Sequence, residues 1–368
     1  MTIVGNSLRK FRFDLLHWFA NSQRDLPWRR NRDPYRIWIS EIMLQQTRVA
    51  AVIPYFEKFC AQFPDVRALA EAPEDEVLRT WSGLGYYSRA KNLQVAAKQI
   101  IREHAGIFPA SEKQIRALRG IGQYTANAIL SIAFEKKHAV LDGNVARVLA
   151  RLNAVRGDLR ETSRWAALQQ TANNLLAPEC PGNWNQAMME LGATICTPRS
   201  PRCLLCPIAK FCAARKLGLQ DVIPEKRKKR ATANIILAVA IITDSRRHCI
   251  VLPPPTRSAQ KAPGDIATLV SGMWHFPTVE VKTDPQRDLR QYLPQILPSS
   301  AKLPRKFLPL QKIRHAVTYR AITLVPFRVS LASLPEIPGA KTILLQNFAS
   351  LPVSNLTRKL ARAALAYE

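Results

Sequence analysis

Four of the chain's seven cysteines, Cys196, Cys203, Cys206 and Cys212, stand in the stretch CTPRSPRCLLCPIAKFC with the spacing C-x6-C-x2-C-x5-C. Four thiols in so short a loop can wrap one metal centre, and an odd total argues against a disulfide framework. Zinc accepts such sulfurs, usually through two separated C-x2-C knuckles, and a 4Fe-4S cluster also takes four thiolates. A single knuckle with its other two ligands close by favours the cluster. Arg199, Arg202 and Lys210 lie among the thiols, where they can meet phosphate or simply compensate thiolate charge. Cys60, Cys180 and Cys249 read as small buried apolar residues.

A second feature with chemical potential is Gly120-Ile121-Gly122, inside LRGIGQYTANAIL at residues 118–130. It does not read as a nucleotide-cofactor turn: no strand precedes it, no third glycine follows at the dinucleotide spacing, and no Gly-Lys-Ser/Thr makes a P-loop. A helix over Ser111 to Leu118, a tight turn and a helix from near Tyr124 fit better. Glycine there lets backbone approach a ligand, and free N–H groups at the new helix start suit one phosphate oxygen. A plain helix–helix turn uses glycine as well.

The elements that must position these groups fall into two domains. Residues 1–220 read as helices joined by short turns, beginning with an apolar face of Leu8, Phe11, Leu15, Trp18 and Phe19. Further helices are expected over Trp38 to Phe59, Glu74 to Trp81, Ala90 to His104, Tyr124 to Phe134, Val145 to Leu152 and Ser163 to Leu176, with the metal loop at 196–212. DVIPEKRKKRAT, residues 221–232, combines a proline, a basic run and little to bury, and reads as a linker that is either solvated or laid against DNA. Residues 233–368 begin with strands rich in Val, Ile and Leu (ANIILAVAIIT, HCIVLP), continue to RAITLVPFRVSL and end in a helix over Asn355 to Ala366. The fold class expected is therefore mainly α, followed by a smaller α+β domain.

Lys and Arg number 54 against 27 Asp and Glu in 368 residues, a net charge of +27. Such an excess favours a polyanion, bound by phosphate neutralisation and counterion release, although basicity also serves solubility. The N-terminus lacks a signal-peptide core, and no run approaches the ~20 apolar residues that cross a membrane. The expectation is a soluble monomer with no membrane partner, located in the cytoplasm of a bacterial cell on the nucleoid.

LRGIGQYTANAIL, the following VLDGNVARVLARL and the cysteine loop together resemble the helix-hairpin-helix DNA glycosylases that carry a 4Fe-4S cluster, the superfamily of endonuclease III and of the adenine DNA glycosylases of MutY type. In endonuclease III the hairpin reads like G-V-G-R-K-T-A, and its lysine forms a Schiff base with the sugar. This chain has Tyr124 at that position, and a phenol cannot form an imine. LPWRRNRDPYRIWISEIMLQQTRV (residues 26–49) and WSGLGYYSRAKNL (81–93) are similar to the adenine branch, and the first supplies Glu41. Arg119, where the family usually has proline or lysine, is a departure that leaves the turn glycines intact.

The resemblance implies a monofunctional enzyme acting on double-stranded DNA that removes adenine mispaired with 8-oxoguanine or guanine in base excision repair. Glu41 would protonate adenine at N7, Asp142 would stabilise or transiently bond the sugar cation, and Asn144 and Tyr124 would hold and shield them. Glu41 is flanked by Trp38, Ile39, Ile42 and Met43, and an apolar pocket would raise its pKa. Asp142 precedes a helix start, where N–H groups favour the ionised form. Taken without the family, Glu41 reads first as a surface helix acid and Asp142 as a simple N-cap. Gln46, Leu84 and Tyr86 match positions that probe or wedge the duplex, with core packing as the rival for Leu84. Arg29, Gly120 and Gly122 complete the expected DNA contacts.

SGMWHFPTVEV, residues 271–281, resembles a Nudix-like domain through Gly272, Trp274, Phe276 and Pro277. The Nudix hydrolase motif is missing, so nucleotide hydrolysis is not expected there. The family's Phe-Ser-His recognition element is replaced by Val317, Thr318 and Tyr319, which makes 8-oxoguanine discrimination less firmly implied than adenine removal. A thymine or pyrimidine glycosylase of the same fold and a non-catalytic damage-binding protein are the competing functions.

Overall fold

The computed structural model describes residues 3–225, 232–254, 273–317, 319–348 and 351–366. The chain divides into two compact units, Met1–Glu71 with Asn92–Lys228, and Ala72–Lys91 with Lys229–Glu368.

The first unit is helical: α1 (Gly5–Ser22), α2 (Pro34–Leu44), α3 (Val49–Gln62), α4 (Val66–Glu71), most of α6 (Ser88–His104), α7 (Glu112–Ala117), α8 (Gln123–Ile132), α9 (Gly143–Leu152), α10 (Thr162–Leu175), α11 (Pro181–Thr194) and the short α12 (Ala213–Lys216). α5 (Glu74–Trp81) lies in the inserted segment 72–91 and matches its expected limits. α11 packs against α1, α8 and α9, and α2 lies on α8. Phe11, Leu15 and Phe19 of α1 share one core with Trp184, Met188 and Leu191 of α11.

The single helix expected over Trp38 to Phe59 is two helices. α2 stops at Leu44, Gln46 takes a φ of +57° and α3 starts at Val49. A left-handed, non-glycine residue cannot continue an α-helix and costs about 1–3 kcal/mol, so the surroundings must hold it. The break leaves Gln46 exposed at a corner while Glu41, one turn earlier, is buried. The central α11 is not among the helices expected from the sequence, although Pro181 at its first turn and the spacing of Trp184, Met188 and Leu191 mark it.

The second unit is built on a sheet of β1 (Ala233–Thr243), β2 (His248–Val251), β3 (Thr278–Glu280), β4 (Leu308–Pro309), β5 (Ile313–Val317), β6 (Arg320–Ser330) and β7 (Lys341–Leu344). Its main path runs β4-β6-β1-β2-β7, with β3 on β1 and β5 on β6. β1 and β6 pair in parallel along their whole length, from Ala233↔Arg320 to Thr243↔Ser330. The two faces are covered by separate cores, one with α13 (Pro285–Ile296) and one with α14 (Asn355–Leu365). Burial on both sides explains why β1 is a continuous apolar run without alternation. The mainly α class with an α+β C-terminal part is thus the observed architecture. Among the described residues, no helix is long and apolar enough to cross a membrane.

Candidate active site and metal centre

One cleft of about 520 Å³ in the helical unit is lined by Glu41, Tyr124, Asp142 and Asn144, together with Arg29 and Gln46. Residues from α2, α8 and α9 as far apart in sequence as Glu41 and Asn144 therefore face the same space. The Tyr124 hydroxyl donates to Glu41 Oε2 at 2.6 Å. Burial pushes the Glu41 carboxyl up to about 7, and the nearby Asp142 charge adds to this, against the Tyr124 hydrogen bond and Arg29. Glu41 thus holds a proton in a large share of molecules at neutral pH.

Asp142 is the N-cap of α9. Its Oδ1 accepts from Val145 N at 2.7 Å and its Oδ2 accepts from Asn144 Nδ2 at 3.2 Å. The helix-start N–H groups favour the ionised form of Asp142, as expected, but they are not the largest influence on it. They do lower its pKa, but burial raises it by more, and the net direction is upward. Glu41 and Asp142 are therefore both shifted towards the neutral form, Glu41 far enough to act as an acid near pH 7.

Glu190, absent from the expected site, also lines the cleft and is 1% exposed. Arg24 grips it through two hydrogen bonds of 2.6 and 2.8 Å, and Arg29 Nη2 donates to its Oε2 at 2.8 Å. The two guanidiniums outweigh burial and keep its pKa below the usual carboxylate range. Arg29 consequently faces the cleft wall as part of an ion triad. The signal was legible only in three dimensions, because Glu190 sits in the overlooked α11.

The hairpin is α7, a turn and α8. Gly120 has a φ of +81°. An added Cβ at Gly120 would come within 2.8 Å of the Asn92 side chain, whereas one at Gly122 would meet nothing. Gly122 caps α8 with no side-chain hydrogen bond, leaving its amide end open. Leu84 is buried and Tyr86 half-exposed on the turn after α5. Val317 ends β5 and Tyr319 leads into β6, and Thr318 lies outside the described residues. Gly272 also lies outside them, while Trp274 and Phe276 pack in the core that contains α14.

Cys196, Cys203, Cys206 and Cys212 are all free thiols that line one pocket with Arg151. Among the described residues, no three side chains converge as a single metal ion requires. Arg151, 2% exposed, donates from Nη1 to Cys196 Sγ at 3.2 Å and to Thr197 O at 2.7 Å. Its buried Nη2 has no protein partner. An orphaned guanidinium donor beside four thiols that line one pocket fits an anionic cluster, which would offer sulfur acceptors and negative charge. Purified protein is expected to be brown, with broad absorbance in the violet and blue. Cys203→Ser should bleach that colour and lower the melting temperature. A colourless parent protein, prepared anaerobically with one zinc per chain, would contradict this.

Residues 39–174 match the model of the HhH-GPD superfamily base excision DNA repair proteins, and residues 196–212 match the iron-sulfur binding domain of endonuclease III. A human adenine DNA glycosylase is 32% identical over 404 aligned positions, covering 96% of this chain and 73% of that protein. Among solved structures, a thermostable thymine-DNA glycosylase is 31% identical with a TM-score of 0.53, covering 57% of this chain and 97% of its own. A trapped endonuclease III–DNA covalent intermediate shares the fold at 21% identity and a TM-score of 0.51, over 59% of this chain and 100% of its own. Of these three, the adenine relative alone is aligned over nearly the whole chain. With that coverage, the two family matches and the cysteine-lined pocket, the chain belongs to the adenine DNA glycosylase family of the HhH-GPD superfamily, a DNA-binding N-glycosylase with a 4Fe-4S cluster.

Proposed function

We propose that this enzyme is a monofunctional glycosylase that releases adenine mispaired with 8-oxoguanine, or with guanine, from duplex DNA. The observation that carries this reading is the Tyr124–Glu41 hydrogen bond in a cleft shared with Asp142, at the position where a lyase needs an amine. An extruded deoxyadenosine in the cleft would receive the Glu41 proton at N7 as the C1′–N9 bond breaks. Adenine then leaves neutral, and the positive charge on the sugar falls to the Asp142 carboxylate until water adds at C1′ and loses a proton. Tyr124 holds the Glu41 carboxyl in place. Asn144 does the same for Asp142, and Arg147 Nη2 in turn donates to Asn144 Oδ1 at 2.9 Å. Glu190, kept ionised by its arginines, offers an acceptor to an exocyclic amine, which adenine has and thymine lacks. The cluster, when bound, cross-links the 196–212 loop, and no hydrolytic step uses it.

Extrusion costs a few kcal/mol, and Gln46, Leu84 and Tyr86 are assigned as the groups that fill the gap. Val317, Thr318 and Tyr319, at the β5–β6 connection, are assigned to the opposing base. One incubation tests the reading. Duplexes with adenine opposite 8-oxoguanine, adenine opposite guanine and thymine opposite guanine are treated with enzyme and then alkali. Strand breaks at the adenines, with none at the thymine, are expected. Breakage at thymine would favour the activity named for the 31% identical relative, and binding without breakage would leave a damage-binding protein.

The open amide end at Gly122 is assigned to a DNA phosphate. Gly120→Ala places a Cβ against Asn92 at positive φ and should destabilise the fold by about 1–3 kcal/mol. Gly122→Ala should leave the melting temperature unchanged while weakening duplex binding. Unchanged affinity in Gly122→Ala would remove the phosphate assignment.

A further inference from the structure

The turn between α5 and α6 is held under backbone constraint. Gly83, Gly85 and Tyr86 have φ values of +117°, +73° and +49°, the last being unfavourable for a bulky side chain. Trp81 Nε1 and Arg89 Nη2 both donate to Gly85 O, at 3.1 and 3.3 Å. The Arg89 guanidinium also lies 5.4 Å from the ring centroids of both Trp81 and Tyr86.

Two more hydrogen bonds reach the turn from the far end of the sequence. Ser82 Oγ donates to Val353 O at 2.8 Å in a buried contact, and Asn355 Nδ2 donates to Gly83 O at 3.1 Å. Val353 forms a bridge to Trp274, whose neighbour His275 bridges to Leu252 directly after β2. The turn that carries Leu84 and Tyr86 is therefore tied by two side-chain hydrogen bonds to a segment whose backbone is bridged to the sheet-bearing part of its own unit. Strained turns persist only where their surroundings over-determine them, and Ser82 and Asn355 supply part of that determination.

We propose that Ser82 and Asn355 are positioning residues through which the C-terminal sequence sets how Leu84 and Tyr86 enter the duplex, so that the identity of the opposing base governs extrusion of the target. This rests on the mispair reading given above, in which the β5–β6 connection meets the opposing base. Loss of either donor frees one side of the turn and lets the wedge residues sample orientations that do not fill the gap.

The test follows 2-aminopurine, placed at the target position opposite 8-oxoguanine or guanine, by rapid mixing with cluster-loaded protein in an Asp142→Asn background. Fluorescence rises as the base leaves the stack. Asn355→Asp keeps the shape of the side chain, removes the donor and adds a charge that the start of α14 favours, so the helix is not weakened. It and Ser82→Ala are expected to slow the rise about tenfold and to narrow the difference between the two opposing bases, with unchanged melting temperature for Asn355→Asp. An unchanged extrusion rate and an unchanged dependence on the opposing base in Asn355→Asp would overturn the proposal. If the parent extrudes equally fast opposite both bases, the mispair reading fails instead, and the absolute rate in Asn355→Asp alone decides the positioning role: slowed supports it, unchanged overturns it.

Discussion

Asp142→Asn is expected to bind a duplex containing adenine opposite 8-oxoguanine as tightly as the parent does, and to release adenine at least about a thousandfold more slowly. That factor corresponds to about 4 kcal/mol of lost transition-state stabilisation, a magnitude usual for one well-placed charge in a water-poor site. Asparagine is the informative replacement because its side-chain oxygen can still accept from Val145 N and cap α9. Burial disfavours the Asp142 anion, which offsets the loss of the hydrogen bond from Asn144 Nδ2, so the variant is expected to stay folded. Single-turnover release and a binding titration on the same preparation separate chemistry from affinity. Parent-like turnover with native binding would remove Asp142 from the mechanism.

Glu41→Gln should abolish excision to a similar degree and also change how stability responds to pH. In the folded chain Glu41 binds its proton near pH 7, against an ordinary value of 4.5 once unfolded. Between those values the folded state holds more protons, so stability falls as pH rises. The contribution is fully present below pH 4.5 and is lost through pH 7, by about 3 kcal/mol in total at one unit of pKa per 1.36 kcal/mol. Denaturant titrations at pH 5 and pH 8 should show this slope in the parent and lose it in Glu41→Gln. Parent excision should likewise decline above pH 7 as the donor deprotonates. A flat activity profile to pH 9 would count against Glu41 as the acid.

Much of this arrangement was legible because local chemistry fixes it. The cysteine spacing announced the metal loop, the Asp142-Gly143-Asn144 run announced an N-cap, and α5 shows its limits by an acidic first turn after Pro73. Tertiary packing decided the rest. No glycine or proline marks the break at Gln46, so α2 and α3 read as one helix. Glu190 has the sequence surroundings of any helical acid, and only its two arginines from the region before α2 make it part of the cleft. For Asp142 the helix-start argument named a real effect but not the larger one, because depth of burial is not written in neighbouring residues.

The hydrogen bond from Ser82 to Val353 joins positions 271 residues apart. During synthesis the turn at 82–87 leaves the ribosome long before its acceptor exists, and β1 must likewise wait for β6. The helical cleft can assemble early, but the loop that bears Leu84 and Tyr86 reaches its finished geometry only when nearly the whole polypeptide has been made. An interrupted translation product therefore carries the cleft of Glu41 and Asp142 without the contacts that tie down the 82–87 turn.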